Sequence, residues 1–115
     1  MTSLLSAFVL LLAALPAAGQ TATAQHFSIV AKRFSFTPNE ITVKVGQPVI
    51  LELESLDVTH GLQIKEFHIK VTIHKGKITT VEFTPTEVGS FSGKCSHFCG
   101  LGHGHMKMVI DVVPK

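Results

Sequence analysis

From residue 26 onward, apolar and polar residues alternate in short runs that turn-forming residues separate. Alternation with period two puts every second side chain on one face, which is typical of a half-buried strand. Seven or eight such runs, with no helical periodicity after residue 25, predict an all-β domain, an antiparallel Greek-key sandwich. The clearest run is residues 67–74, in which His68, Lys70 and His74 are predicted to face solvent. The predicted strands are 26–32, 34–36, 40–45, 49–54, 61–64, 67–74, 78–83 and 108–113.

The first part of the chain has a different character. An apolar stretch from Leu4 to Leu15 is followed by Pro16 and small residues, as in a secretory signal peptide. Cleavage is expected after Gly19 or after Ala24. The alternative is an uncleaved N-terminal anchor, although the stretch is shorter than the roughly 20 residues that span a bilayer. We therefore expect a leader at residues 1–24, a single domain at residues 25–115, and export to the periplasm or the outer face of the cytoplasmic membrane.

Composition excludes some classes of function. The formal net charge is +2 for 115 residues, which is too small a bias to indicate nucleic-acid binding. The sequence contains no pattern typical of a nucleophile with its base, a phosphate-binding loop or haem attachment. Seven histidines in a chain of this length are a high count that calls for an explanation.

One segment concentrates ligand-forming side chains. Cys95, Cys99, His103 and Met106 fall within twelve residues, with glycines between them. Thiolate and thioether are soft ligands and imidazole suits borderline metals, so this set favours copper. Glycines allow the tight turns that bring such side chains onto one ion. A strand-like run follows immediately, which predicts a metal-binding loop between two strands.

The two cysteines alone leave a disulfide and a metal site equally open, because exported proteins commonly form disulfides. A bridge between Cys95 and Cys99 would close a very short loop and stabilise the fold weakly. His103 and Met106 have no role in a disulfide, so the whole cluster favours a metal. A ligand from outside the loop is also expected. His60, which precedes a glycine in a predicted loop, is the best candidate, although spacing alone does not select it.

The segments 57–61 and 95–106 resemble the dinuclear copper A domain of subunit II of haem-copper oxidases, which also occurs in nitrous oxide reductase. The resemblance extends to residues 34–38, 45–48 and 84–89, so it covers nearly the whole of the predicted domain. It implies a cupredoxin-like sandwich that holds two copper ions.

The resemblance also implies a role for each ligand. Both cysteine sulfurs bridge the two copper ions, and each histidine binds one copper. The methionine is a weak axial ligand to one copper, and a backbone carbonyl binds the other. That carbonyl belongs to a position where the family usually has Glu or Gln, whereas this chain has His. The implied ligand set is His60, Cys95, the carbonyl of His97, Cys99, His103 and Met106.

These implications favour an exported carrier of single electrons, with a c-type cytochrome or a terminal oxidase as its redox partner. Three alternatives remain. One is the electron-entry subunit of a terminal oxidase, although such subunits carry two membrane helices ahead of this domain. Another is a copper storage or delivery protein, which the surplus histidines favour. The last is a single-copper site of the blue-copper kind, which would leave Cys95 without a role.

Overall fold

The computed structural model describes residues 23–115, and this part of the chain is all-β, as the alternation predicts. The expected leader, apart from its last two residues, lies outside the described residues. Within residues 23–115 no helix is long and apolar enough to cross a bilayer. Two short 3-10 turns are present, at Lys65–Phe67 and His103–His105. The strands are β1 (Gln25–Lys32), β2 (Ser35–Thr37), β3 (Glu40–Lys44), β4 (Val49–Ser55), β5 (His60–Ile64), β6 (Ile69–Ile73), β7 (Thr79–Phe83), β8 (Gly89–Lys94) and β9 (Lys107–Val113).

The strands form two sheets that enclose one apolar core. Sheet A has the order β2-β1-β4-β7, and sheet B has the order β3-β9-β8-β5-β6. Each strand turns its alternate apolar residues inward, which confirms the predicted sandwich. Among residues 23–115, the apolar side chains that are at most 1% exposed are Ile29, Ala31, Phe36, Val43, Val49, Leu51, Leu53, Leu62, Ile64, Ile73, Met106, Met108 and Ile110.

Two pairs of strands depart from the antiparallel arrangement that the sequence predicts for the sandwich. β1 runs parallel to β4, in a register from Gln25↔Val49 to Ala31↔Ser55. β3 also runs parallel to β9. Alternation specifies which face of a strand is buried, but it carries no information about the direction of the neighbouring strand. Parallel neighbours need long connections, and both of these pairs join strands that are separated by other elements along the chain.

The predicted strand at residues 67–74 is shorter in the structure. β6 begins at Ile69, after the turn Lys65–Phe67 and after His68, whose φ of 55° is left-handed. Phe67 lies in that turn and stacks on Phe83 of β7, with ring centroids 4.6 Å apart. It packs against the apolar core, as the alternation predicts, but outside the regular strand.

Two loops meet at one end of the sandwich. β5 runs antiparallel to β8, with Gln63 opposite Lys94, so the start of β5 lies beside the end of β8. The β4–β5 loop and the β8–β9 loop are therefore neighbours. The second loop is closed at its base by a hydrogen bond that the Cys95 N–H donates to the Met106 carbonyl, at 3.0 Å. The topology thus brings His60 to the loop that the sequence singles out.

Candidate metal centre

The candidate ligands combine one residue of β5 with several from the β8–β9 loop. His60 is fully buried as the first residue of β5, and Met106 is fully buried immediately before β9. Cys95 and Cys99 are also buried, and both are free thiols. His103 is half-buried in the turn His103–His105. Soft donors are therefore gathered where the protein excludes most water.

The two sulfurs lie at the middle of the cluster. Cys95 Sγ is 3.7 Å from Cys99 Sγ. His60 Nδ1 lies 3.9 Å from the sulfur of Cys95, and His103 Nδ1 lies 3.5 Å from the sulfur of Cys99. The ligand atoms of His60, Cys95 and Cys99 all lie within 4.8 Å of one another. The arrangement thus pairs one imidazole with each thiol.

Two further groups approach this central pair. Met106 Sδ lies 3.8 Å from Cys99 Sγ. The carbonyl oxygen of His97 lies 3.1 Å from Cys95 Sγ. The His97 ring is exposed, and its Nδ1 lies 3.1 Å from the Phe98 carbonyl. At this position the backbone, and not the imidazole, therefore faces the sulfurs.

Asp57, in the loop before β5, is a further site residue besides the predicted ligands. Its Oδ1 lies 2.7 Å from His60 Nε2. A carboxylate on one ring nitrogen fixes the orientation and tautomer of an imidazole, which leaves Nδ1 free to bind a metal. The signal was present in the sequence, because Asp57 and His60 have a carboxylate–histidine spacing of three residues.

The charge of Asp57 is well stabilised. Burial by itself would raise the pKa of this carboxyl, but hydrogen bonds outweigh that effect. The Arg33 N–H donates to Oδ2 at 2.7 Å, and the Val58 N–H donates to Oδ1 at 2.6 Å. Together with the contact to His60, they hold the pKa of Asp57 well below its usual range. Asp57 is therefore ionised wherever the protein is folded near neutral pH.

Arg33 connects the turn after β1 to the β8–β9 loop, which carries the candidate ligands. Its Nε donates to the Cys99 carbonyl at 3.0 Å, while its backbone N–H holds Asp57. These contacts join residues that are 66 and 24 positions apart. No local pattern in the sequence indicates such a link, so the role of Arg33 emerges only from the fold.

Phe34 packs against the glycines of the loop. A Cβ built on Gly100 would lie 2.9 Å from Phe34 Cε1, and one built on Gly102 would come closer still to the same ring. Gly100 also has a φ of 137°, which side chains rarely adopt. These two glycines therefore let the loop lie directly on an aromatic ring.

Burial also affects the thiols. It is the main reason that the pKa of Cys99 rises to about 11, and the neighbouring Cys95 thiol contributes to the rise. In the metal-free protein this thiol is protonated near neutral pH. A metal that binds the thiolate must therefore displace the proton, and its binding is linked to pH.

The donor set fits copper. It combines two thiols, two imidazoles and a thioether, which are ligands that copper accepts, in a buried and closely spaced cluster. The two-sheet β-sandwich and this loop together define a metal-binding domain of the cupredoxin class. The sequence profile of the cupredoxin-like domain family matches residues 4–110, and the chain belongs to that family.

Relatives agree with the copper A resemblance. The chain is 33% identical over 78 residues to cytochrome c oxidase subunit 2 of Thermus thermophilus, a match that spans 68% of this chain and 58% of that protein. It is also 33% identical over 78 residues to a second subunit 2 from the same species. That match spans 68% of this chain and 46% of the second, longer protein. The chain thus spans about half the length of these relatives.

Solved structures share the fold. The periplasmic domain of oxidase subunit II from Bradyrhizobium japonicum superimposes with a TM-score of 0.74 at 21% identity, over 79% of this chain and 85% of that domain. A chain of a haem-copper terminal oxidase dimer superimposes with a TM-score of 0.71 at 26% identity, over 77% of this chain and 65% of that chain. The metal-binding domain of a Cu(I)-exporting ATPase of Streptococcus pneumoniae superimposes with a TM-score of 0.66 at 20% identity, over 78% of this chain and 86% of that domain.

Proposed function

We propose that this chain is an exported electron-transfer protein whose centre holds two copper ions of the copper A type. The observation that carries the proposal is the central pair of sulfurs, 3.7 Å apart, with one imidazole beside each sulfur. A single-copper site of the blue-copper kind would use only one of these thiols. The similarity to oxidase subunit 2 supports the same conclusion.

In this proposal, the sulfurs of Cys95 and Cys99 would hold both copper ions, and His60 and His103 would each bind one of them. Met106 and the His97 carbonyl complete the set, one for each copper. When bound, the copper pair supplies a one-electron redox couple shared over both metals. The protein groups suit this purpose, because soft ligands favour Cu(I) and imidazole accepts both oxidation states.

The surrounding residues restrict movement and exclude water. Asp57 holds the His60 ring through Nε2, and Arg33 holds the loop through the Cys99 carbonyl. The base of the loop is closed between Cys95 and Met106. Ligands fixed in this way change position little between oxidation states, and this favours electron transfer over reactions that require an open coordination position.

The proposal makes the chain a carrier and not a catalyst. If it works inside an oxidase, as its relatives named subunit 2 suggest, it would be the electron-entry component, and the oxygen chemistry would lie on another chain. A c-type cytochrome or a terminal oxidase is then the expected redox partner. The periplasm or the outer face of the cytoplasmic membrane is the expected location, after export by the leader at residues 1–24.

A redox cycle in the presence of a chelator tests the carrier function. The copper-loaded protein is reduced with dithionite and reoxidised with ferricyanide beside a strong Cu(I) chelator, and the retained copper is measured. We expect repeated one-electron cycles without loss of copper, because the ligands are buried and fixed. If reduction alone transfers the copper to the chelator, the protein is a copper storage or delivery protein instead.

A further inference from the structure

A row of lysines crosses sheet B beside the candidate metal centre. Lys70 of β6 lies opposite Gln63 of β5, and Gln63 lies opposite Lys94 of β8. Lys94 in turn lies opposite Lys107 of β9. One register position thus crosses four adjacent strands and carries three lysines, which we call the lysine row (Lys70, Lys94 and Lys107).

All three lysines are exposed on the outer face of the sheet. Lys107 lies between Met106 and Met108, which are 0% and 1% exposed, so its own side chain points away from the core. Lys94 similarly lies between two buried residues, and Lys70 follows the buried Ile69. The alternation of the strands therefore places three ammonium groups on one surface.

The lysine row has no neutralising partner within the described residues. In residues 23–115, no carboxylate oxygen lies within 4.0 Å of a lysine nitrogen. Like charges placed directly opposite each other on neighbouring strands, as Lys94 and Lys107 are, destabilise a sheet. Such departures from local stability rules are expected where a surface has a function.

The lysine row also adjoins a candidate copper ligand. An open cavity of about 400 Å³ is lined by all three lysines together with Ser96, Gly104 and His103. A molecule bound to the row would therefore lie against the imidazole of His103. The outer face of sheet A, in contrast, carries exposed Glu52 and Glu54. The acidic residues of sheet B, Glu40 and Asp111, lie further along β3 and β9 and do not line this cavity.

From this arrangement, and resting on the proposed electron-transfer function, we propose that the lysine row is the docking surface for an acidic face of the redox partner protein. Carboxylates on the partner would neutralise the lysines and bring its redox centre toward His103. Complementary charge of this kind raises the rate of association and orients the encounter. The partner is thus a negatively charged redox protein, and the electron passes between its redox centre and the copper pair.

Electron-transfer rates with two cytochromes test the proposal. The copper-loaded full chain is mixed in a stopped-flow instrument with an acidic c-type cytochrome and, separately, with a basic one. We expect the rate with the acidic cytochrome to fall about tenfold or more as salt rises, because screening weakens the attraction. A rate with the acidic cytochrome that does not depend on salt would overturn the proposal.

Charge variants locate the effect. The double variant Lys94→Glu/Lys107→Glu should lower the rate with the acidic cytochrome at least about tenfold at low salt. The neutral pair Lys94→Gln/Lys107→Gln should give an intermediate rate, and it keeps the test available if charge reversal impairs folding. The control that matches the neutral pair in its change of net charge is Lys44→Glu, at the opposite end of sheet B, where Lys44 lies beside Val113. If the control slows the reaction as much as the row variants do, net charge and not the lysine row is responsible.

Binding to the metal-free protein separates this proposal from the proposed function. Backbone amide NMR signals of the row should shift when the acidic cytochrome is added, and they should shift less with inorganic phosphate or with anionic lipid vesicles. A stronger response to phosphate or vesicles than to the cytochrome would overturn the proposal. If the copper-loaded chain transfers no electrons even to an electrode, the proposed function fails, while the binding result still decides the role of the lysine row.

Discussion

At the scale of single residues, the site depends on groups that hold the candidate ligands as well as on the candidate ligands themselves. His60 is fully buried, and its Nε2 lies 2.7 Å from the Asp57 carboxylate. The backbone N–H groups of Arg33 and Val58 in turn fix that carboxylate. The orientation of the imidazole is therefore determined before any metal binds.

Replacement of Asp57 tests this positioning role. Asp57→Asn keeps the size of the side chain but removes its charge, so the His60 ring loses its charged hydrogen-bond partner. We expect copper affinity to fall by about 10- to 100-fold, as measured by competition with a chelator. Glu54→Gln, an exposed carboxylate on β4, is the matched control and should leave affinity unchanged. Unchanged affinity in Asp57→Asn would show that the contact does not support the metal.

The backbone role of residue 97 gives a second prediction. Because the His97 carbonyl faces Cys95 while the ring is exposed, His97→Ala should retain both copper ions with little change in the spectrum. His105→Ala, another exposed histidine of the same loop, is the control. The measurement is copper per chain together with the electron-spin-resonance spectrum. Loss of one copper in His97→Ala alone would mean that the imidazole is a ligand.

At the scale of elements, the position of the β8–β9 loop depends on its contact with the turn between β1 and β2. Phe34 from that turn lies against Gly100 and Gly102, where a Cβ has no room. A Cβ on Gly104, in contrast, would meet nothing within 4 Å. The glycines of the loop therefore have different structural roles, although they look alike in the sequence.

Alanine substitutions distinguish these roles. Gly102→Ala should destabilise the protein by about 1–3 kcal/mol, because the added methyl group overpacks against Phe34. Gly104→Ala should be close to neutral. Both are measured by denaturant unfolding of the metal-free protein. The Gly102→Ala change should cost less in a Phe34→Ala background than in the native chain, and an equal cost in both would contradict the proposed contact.

The same scale shows what local pattern can and cannot predict. Alternation predicted the strands and their buried faces, because burial is encoded residue by residue. It did not predict the parallel pairing of β1 with β4, because that pairing depends on a distant strand. The candidate ligands Cys95, Cys99, His103 and Met106 are predictable from local spacing, whereas the carbonyl of His97 comes only from the family resemblance. His60 needed the family resemblance, and the link through Arg33 needed the fold.

At the scale of the whole molecule, the free energy of unfolding of the metal-free protein should decrease at alkaline pH. Burial, with the nearby Cys95 thiol, raises the pKa of Cys99 from 9.0 to about 11, so the folded protein keeps a proton that the unfolded chain releases. This contribution to stability is complete below about pH 9 and is lost as pH rises toward 11.

Unfolding at several pH values, with thiolate ultraviolet absorption, measures this effect. The chain contains no Trp and no Tyr, so thiolate absorption is free of their signal. The Cys99→Ser variant should lose stability less steeply with rising pH than the native chain. A native protein as stable at pH 11 as at pH 9 would contradict the expected protonation of the buried thiol.

The central claim is that two copper ions share the pair of sulfurs formed by Cys95 and Cys99. Its most direct test is copper stoichiometry measured together with electron-spin resonance on the same sample of purified protein. We predict two copper ions per chain and a mixed-valence signal that is split by both copper nuclei. One copper ion per chain, with a signal split by a single nucleus, would contradict the claim and would indicate a mononuclear site.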